Sequence, residues 1–255
     1  MRVDQALVER GLVSSRALAK RLIETGAVQL NGTLVKKASE PVFAENLLVV
    51  AESIETQYVS RAGSKLAGAL KVCGVSVAGK SCLDLGQSTG GFTDCLLQNG
   101  ASHVVGIDVG HDQLVASLRS NPAVTVVEGC NIRDLDLHKY SLTAPYSKNI
   151  SLIVIDVSFI SLSLILPVVH SWFSSSHNPI EIMSLVKPQF EVGKGNVSRQ
   201  GIVRQPKLLV DVKQKILSLA IDLGWHVDRY FDSAIEGGDG NKEFFLHAFI
   251  NPSLK

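Results

Sequence analysis

Nothing in this chain is in excess. Methionine and tryptophan occur twice each, cysteine four times in 255 residues, and acidic and basic side chains cancel to a formal charge of +1. The cysteines, Cys73, Cys82, Cys95 and Cys130, form no C-x-x-C pair, and the seven histidines show no H-x-x-x-H spacing. A zinc ribbon or a helix-borne metal site is therefore not expected, and no metal is. Nothing at the start reads as a secretory leader, so reduced core thiols in a cytoplasmic protein are expected. The near-zero charge excludes a globally basic nucleic-acid binder; any such contact has to come from a local basic face. An apolar content of 45% without a Pro/Gly surplus excludes disorder and implies a packed core. The longest apolar stretch, Ile150 to Phe173, contains Asp156, Pro167 and five serines. A central Asp costs roughly 2.5–3.5 kcal/mol in a spanning helix. The stretch reads instead as a buried strand followed by a helix, with no membrane role.

The first fifty residues read as two helices and a hairpin. Val3 to Arg10 is short and helical and is closed by Gly11; Ser14 can cap a second helix over Ser15 to Thr25, ended by Gly26. Asn31-Gly32 between Val28–Leu30 and Thr33–Val35 predicts a two-residue type I′ hairpin, because both turn residues tolerate positive φ. Arg16, Lys20, Arg21, Lys36 and Lys37 fall in this small unit. Their spacing allows a phosphate-binding face and equally allows a solvated charged surface. Residues 1–51 are expected to form this α+β domain, 52–59 a polar linker, and 60–255 the second domain.

From Ser60 onward strands and helices alternate. Strands are expected at Ser81–Leu85, His103–Ile107, Val124–Glu128, Leu152–Ile155 and Ile182–Val186, with a closing pair near Trp225–Tyr230 and Phe244–Ile250. Helices are expected from Phe92 and over Gln113–Arg119, Leu162–Trp172 and Pro206–Leu223, and a polar loop with Lys194, Arg199 and Arg204 between Pro188 and Gln205. That loop fits a substrate lid or an idle surface segment. The alternation implies an α/β, Rossmann-like, mostly parallel sheet with helices on both faces, whose chemistry lies at the carboxyl ends of the strands.

The first strand ends in Leu83-Asp84-Leu85-Gly86 and runs through Gln87-Ser88-Thr89-Gly90-Gly91 into a helix; the second ends at Asp108. Strand, glycine turn, helix, strand and acid make a nucleoside-binding unit, with the acid positioned for ribose hydroxyls. The spacing G-x-x-x-G-G departs from that of dinucleotide binders, and Asp84 suits a cationic amine better than a pyrophosphate. S-adenosylmethionine is thus favoured over a nicotinamide cofactor, with Asp84, Gly86, Ser88, Gly90, Gly91 and Asp108 around it and Asn131 and Ile132 beside the adenine. The glycines also fit a simpler role in strand-to-helix packing.

Four ionisable residues stand where a plain scaffold would not favour them: Lys65 before the first strand, Asp156 ending the fourth, Lys187 ending the fifth, and Glu243 opening the last. They fit a reaction centre, or two ordinary ion pairs at strand ends.

The segments Ser60-Arg61-Ala62-Gly63-Ser64-Lys65, Gly86-Gln87-Ser88-Thr89-Gly90-Gly91-Phe92, Asn131-Ile132-Arg133, Ile155-Asp156-Val157-Ser158-Phe159 and Val186-Lys187-Pro188-Gln189-Phe190-Glu191 resemble the TlyA, or hemolysin A, family. So does the tail Asp239-Gly240-Asn241-Lys242-Glu243, and the N-terminal unit resembles an RNA-binding domain shared with a ribosomal small-subunit protein. Gln87 stands where a small residue is common, and Ala234 and Gly238 replace prolines often seen before the glutamate. The resemblance implies an FtsJ-like domain that transfers methyl from S-adenosylmethionine to a cytidine ribose 2′-hydroxyl in ribosomal RNA of the subunits. It implies Lys187 as base, Lys65 as second cation, and Asp156 and Glu243 as the groups that orient them. The alternatives are an RNA-binding protein without activity, and the membrane lysis suggested by the name hemolysin.

Overall fold

The computed structural model describes residues 1–13, 16–51, 57–135, 149–176 and 178–250. Ser14 and Ser15, the proposed cap and start of the second helix, and most of the linker, 52–56, lie outside the described residues.

In the N-terminal unit, α1 (Val3–Glu9) and α2 (Arg16–Glu24) pack on a small antiparallel sheet of β1 (Val28–Leu30), β2 (Thr33–Leu34) and β3 (Leu48–Val50), in the order β2-β1-β3. Asn31 and Gly32 take φ of 50° and 79°, the geometry their sequence predicts for the hairpin. The third strand was not expected: three residues carry no period, and only pairing of Val28 with Val50 and Leu30 with Leu48 defines it. Leu7, Leu22, Val28 and Val35 fill the core. One acid is buried with them. Asp4 accepts from Arg2 Nε at 2.9 Å and Arg16 Nη2 at 2.8 Å, and these guanidinium partners, Arg2 first, hold its carboxyl down to about 2.

The second unit is a seven-stranded sheet between helices. Its strands are β4 (Ser81–Leu85), β5 (His103–Ile107), β6 (Val124–Val127), β7 (Ile150–Ile155), β8 (Ile180–Val186), β9 (His226–Asp232) and β10 (Phe244–Ile250), in the order β6-β5-β4-β7-β8-β10-β9. The first five run parallel; β10 enters antiparallel between β8 and β9. Helices α3 (Arg61–Cys73) and α4 (Gly91–Gln98) cover one face through Leu66, Leu70, Phe92 and Leu96. The other face is covered by α6 (Leu162–Phe173) and α8 (Pro206–Asp222) through Ile165, Val169, Val212 and Ile216. Strands buried on both faces explain the continuous apolar runs in β4, β5, β7 and β8. The Ile150–Phe173 stretch is indeed strand then helix, and among the described residues no helix is long and apolar enough to cross a membrane.

Two expectations are corrected. The helix expected over Gln113–Arg119 is only the single turn α5 (Ala116–Arg119), because Val115 is extended and the Gln113 amide is taken by Glu128 at 3.3 Å. The segment expected as a loop after Lys187 begins with a helical turn, α7 (Pro188–Glu191), with proline at its first position, where a fixed φ and a missing N–H suit a helix start. The rest of that segment is tied down: Val203 N donates to Asn241 Oδ1 at 3.0 Å, and Asn241 Nδ2 donates to Gly201 O.

At the sheet end remote from the strand carboxyl termini, a bulge between β9 and β10 occurs beside His247. The buried His247 ring lies 2.9 Å from both Glu181 and Asp228, and Lys80 closes on Glu181 at 2.5 Å. Burial disfavours the imidazolium, but the two carboxylates outweigh it and hold the ring above its ordinary value of 6.5. A raised value stabilises the fold below the unfolded pKa and loses that contribution as pH rises through the folded one. The thermal midpoint should therefore decline as pH rises above about 6.5. His247→Gln should flatten that decline in melting curves recorded across the range.

Candidate functional site

The carboxyl ends of β4, β5, β7 and β8 open on one rim, where the order of strands reverses beside β4. Gly86 follows β4, Asp108 follows β5, Asp156 follows β7 and Lys187 follows β8; Glu243 arrives just before β10. Gly86 has φ 88°, and a Cβ there would sit 2.5 Å from the Asp156 carbonyl oxygen, so the turn is packed against the backbone that carries Asp156. Gly90, also at positive φ, leaves its room to Leu114 and Leu118, and Gly91 to Ser60 and Ala62. At both positions a side chain would collide with these neighbours, so the turn is closely packed there.

Three neighbouring hollows with shared lining residues lie along the rim. The first, about 500 Å³, is lined by Gly86, Ser88, Asp108, Asn131, Ile132 and Asp156, among others. Asp108 is fixed at both oxygens, accepting from Ser88 N at 2.8 Å and Gly110 N at 2.7 Å, while lone pairs remain for further donors. A neck of about 120 Å³, lined by Gly86, Gly91, Asp156, Ser158 and Lys187, shares Gly86, Asp156 and Ser158 with it, and shares Ser158 and Lys187 with a third hollow of about 390 Å³. Asp84 and Gly90 line none of the three. The Asp84 side chain points from β4 toward α4 and accepts from Thr93 Oγ1 at 2.7 Å, while Gln87 Nε2 donates to the same hydroxyl at 2.9 Å. Gln87 thus turns into the interior, over Gly106, where a Cβ would collide with it. Burial pushes the Asp84 carboxyl up to about 7; the Thr93 hydrogen bond pulls it back, and the charge of Asp156 adds to the rise. Its Oδ1 has no hydrogen-bond partner among the described residues.

The third hollow gathers Lys65, Lys187 and Glu243, with Phe159 and Phe190 on its wall. Lys65 Nζ lies 2.5 Å from Glu243 Oε2, with the two residues only 8% and 4% exposed. Lys187 Nζ lies 2.6 Å from Asp156 Oδ1. The four ionisable residues therefore form two ion pairs on adjoining walls. Two amines and two acids sum to no net charge, and burial of each amine is offset by its partner. Phe159 is 92% exposed at φ 62°, a strained backbone for a bulky residue, and tilts onto Phe190 at 5.2 Å. Ser158, Phe159, Gln113 and Arg133 line the rim although sequence reasoning did not single them out as site residues. For Ser158 and Phe159 a signal existed, since they directly follow the strand-end acid.

In the N-terminal unit, Lys20, Lys36 and Lys37 are exposed, whereas Arg16 is engaged by Asp4 and Arg21 is half-buried. Asp4 also donates its amide to Ala38 O at 3.2 Å, so Arg16 and the Lys36–Lys37 stretch meet at the same end of α1.

Comparison with known proteins gives a consistent picture. Residues 58–249 match the model of the FtsJ-like methyltransferase family, and residues 1–45 match the S4 domain. The chain is 42% identical over 245 residues to the 16S/23S rRNA (cytidine-2′-O)-methyltransferase TlyA of Mycobacterium tuberculosis, covering 96% of this chain and 88% of that one. It is 39% identical over 250 residues to Hemolysin A of Brachyspira hyodysenteriae, covering 98% and 100%. A solved candidate hemolysin from Streptococcus thermophilus superposes with a TM-score of 0.74 at 38% identity, over 98% of this chain and 88% of that one.

Gly86→Ala should cost about 1–3 kcal/mol of stability, since it meets both positive φ and the Asp156 carbonyl. Gly195→Ala, with open space around it, should stay within about 0.5 kcal/mol. Denaturant unfolding of the two variants checks the contrast.

Proposed function

This chain belongs to the FtsJ-like methyltransferase family and carries an S4 domain ahead of it, and from that premise we propose that it methylates the 2′-hydroxyl of a cytidine ribose in ribosomal RNA, acting on ribosomal subunits in the cytoplasm. The observation that carries the reading is the hollow that gathers Lys65, Glu243 and Lys187, with Asp156 paired to Lys187 and lining the adjacent nucleoside-sized cleft.

The cleft residues fit S-adenosylmethionine. Asp108, with lone pairs to spare, suits ribose hydroxyls; Ser88, Asn131 and Ile132 flank it; and Asp156 faces the neck with a carboxylate that suits a cation. Asp84, behind the turn with Oδ1 unpartnered, adds a second acid near the same end. When bound, S-adenosylmethionine supplies an activated methyl group on sulfonium sulfur. The remaining work falls to the chain. Lys65 and Lys187 hold the acceptor oxygen, which is a weak nucleophile until its proton is drawn away. Lys187 would take that proton as the acceptor oxygen receives the methyl group, and would later release it to solvent. Lys65 offsets negative charge developing on the oxygen, while Glu243 and Asp156 keep the two amines in place. Gly86, Gly90 and Gly91 shape the turn between cleft and helix. The S4 domain supplies the RNA grip, with Arg16, Lys20, Arg21, Lys36 and Lys37 as its phosphate contacts.

The test is tritium transfer from labelled S-adenosylmethionine to isolated ribosomal subunits, followed by mapping of the product. Label on cytidine 2′-oxygens is expected. Lys187→Ala should lower the rate by about 10²–10⁴-fold, as loss of a general base does, with RNA affinity retained. RNA binding without any transfer by the wild type would mark an inactive binder, and label on bases would overturn the ribose assignment.

A further inference from the structure

Lys187 ends on a long, flexible stem, and an ion pair fixes where its amine sits without fixing where its N–H bonds point. Asp156 Oδ1, although 2.6 Å away, lies off the hydrogen-bond direction of that amine. The aligned acceptor is another group. Lys187 Nζ donates to Ser158 Oγ at 2.8 Å. Ser158 is exposed, and it borders all three hollows of the rim.

The placement of that hydroxyl does not depend on its own bond to Lys187. The segment after β7 is clipped to the turn after β8 at several further points. Phe159 tilts onto Phe190 at 5.2 Å. Glu191 accepts from Ser161 Oγ at 2.6 Å and from the Leu162 amide at 2.7 Å, and Lys215 holds the same carboxylate at 2.7 Å. Ser158 is thus presented to Lys187 by a scaffold that would survive loss of its hydroxyl.

We propose that Ser158 is a positioning residue that orients the Lys187 amine toward the acceptor hydroxyl. The inference rests on the reaction assigned above. In the ion pair Lys187 carries three N–H bonds; to act as base it must first release one proton to solvent, which leaves two N–H bonds and a lone pair. With one N–H committed to Ser158 and Asp156 crowding the nitrogen, the lone pair is turned toward the hollow shared with Lys65 and Glu243. Without the hydroxyl the amine stays near Asp156 but rotates freely, so its lone pair faces the acceptor for a smaller part of the time.

The experiment compares wild type, Ser158→Ala and Ser158→Thr in methyl transfer to ribosomal subunits and in labelling of the Lys187 amine by an acetylating reagent, read by mass spectrometry. Ser158→Ala should lose about 10- to 100-fold in kcat, the scale of a misplaced catalytic group. Its KM values for RNA and S-adenosylmethionine should stay within about twofold, because ground-state binding is untouched. Ser158→Thr, which keeps a hydroxyl at an exposed position, should recover most of the rate. Lys187 labelling should rise severalfold in the alanine variant only. An unchanged kcat with unchanged labelling overturns the proposal. So does equal loss in both variants, which would assign the effect to the loop, and so does a rise in KM alone, which would make Ser158 a substrate contact. If the wild type transfers no methyl, the reaction assigned to the site fails, while the labelling contrast still decides whether Ser158 orients Lys187.

Discussion

Asp156 and Lys187 can meet only because β7 and β8 run parallel in one register, with Ile155 beside Ser184. A slip of one residue would send each side chain to the opposite face of its strand. The same rim is locked from the other side. The Asp156 amide donates to Leu85 O at 2.9 Å, and Gly86 packs on the Asp156 carbonyl. The end of β4, the end of β7 and the end of β8 therefore act as one unit, and the glycine turn cannot move without moving the acid.

Charge balance follows from that geometry. Two amines brought into one small pocket would repel each other and any cationic methyl donor, and burial would add several kcal/mol per uncompensated ion. Glu243 and Asp156 cancel both penalties by pairing one lysine each. A neutral pocket can then take a nucleoside hydroxyl on one side and a sulfonium on the other. The same economy appears in the N-terminal unit, where Asp4 is buried and holds Arg2 and Arg16 at the surface. Arg16 is thereby stiffened in place while its guanidinium stays half exposed.

The strained and the anchored parts of the rim are adjacent. Phe159 sits at positive φ between Ser158, which binds Lys187, and the helix start that Glu191 caps. Such strain persists only where neighbours over-determine it, and here they do so from both ends of a short segment. The wall formed by residues 197–203 is fixed to the loop before Glu243 through Asn241, so this side of the pocket is held by hydrogen bonds and not by packing alone.

The alternation of apolar runs with helical periods, the Asn31-Gly32 turn and the strand-ending Asp84, Asp108, Asp156 and Lys187 were legible in the residues themselves, because period and turn chemistry are local properties. Which motif residues bear on reaction chemistry came from the resemblance of whole segments and not from spacing. Tertiary structure alone decided the rest. β3 exists through pairing and not through any pattern of its own, and β10 slips in antiparallel beside β8. Asp84 turns behind Thr93 instead of lining the cleft, and Gln87 fills the space above Gly106. Lys65 and Glu243, 178 residues apart, are joined at 2.5 Å. The physical reason is common to all of these: a period says which face a side chain takes, whereas its partner is chosen by strand order and register, which the chain fixes only when distant segments pack together.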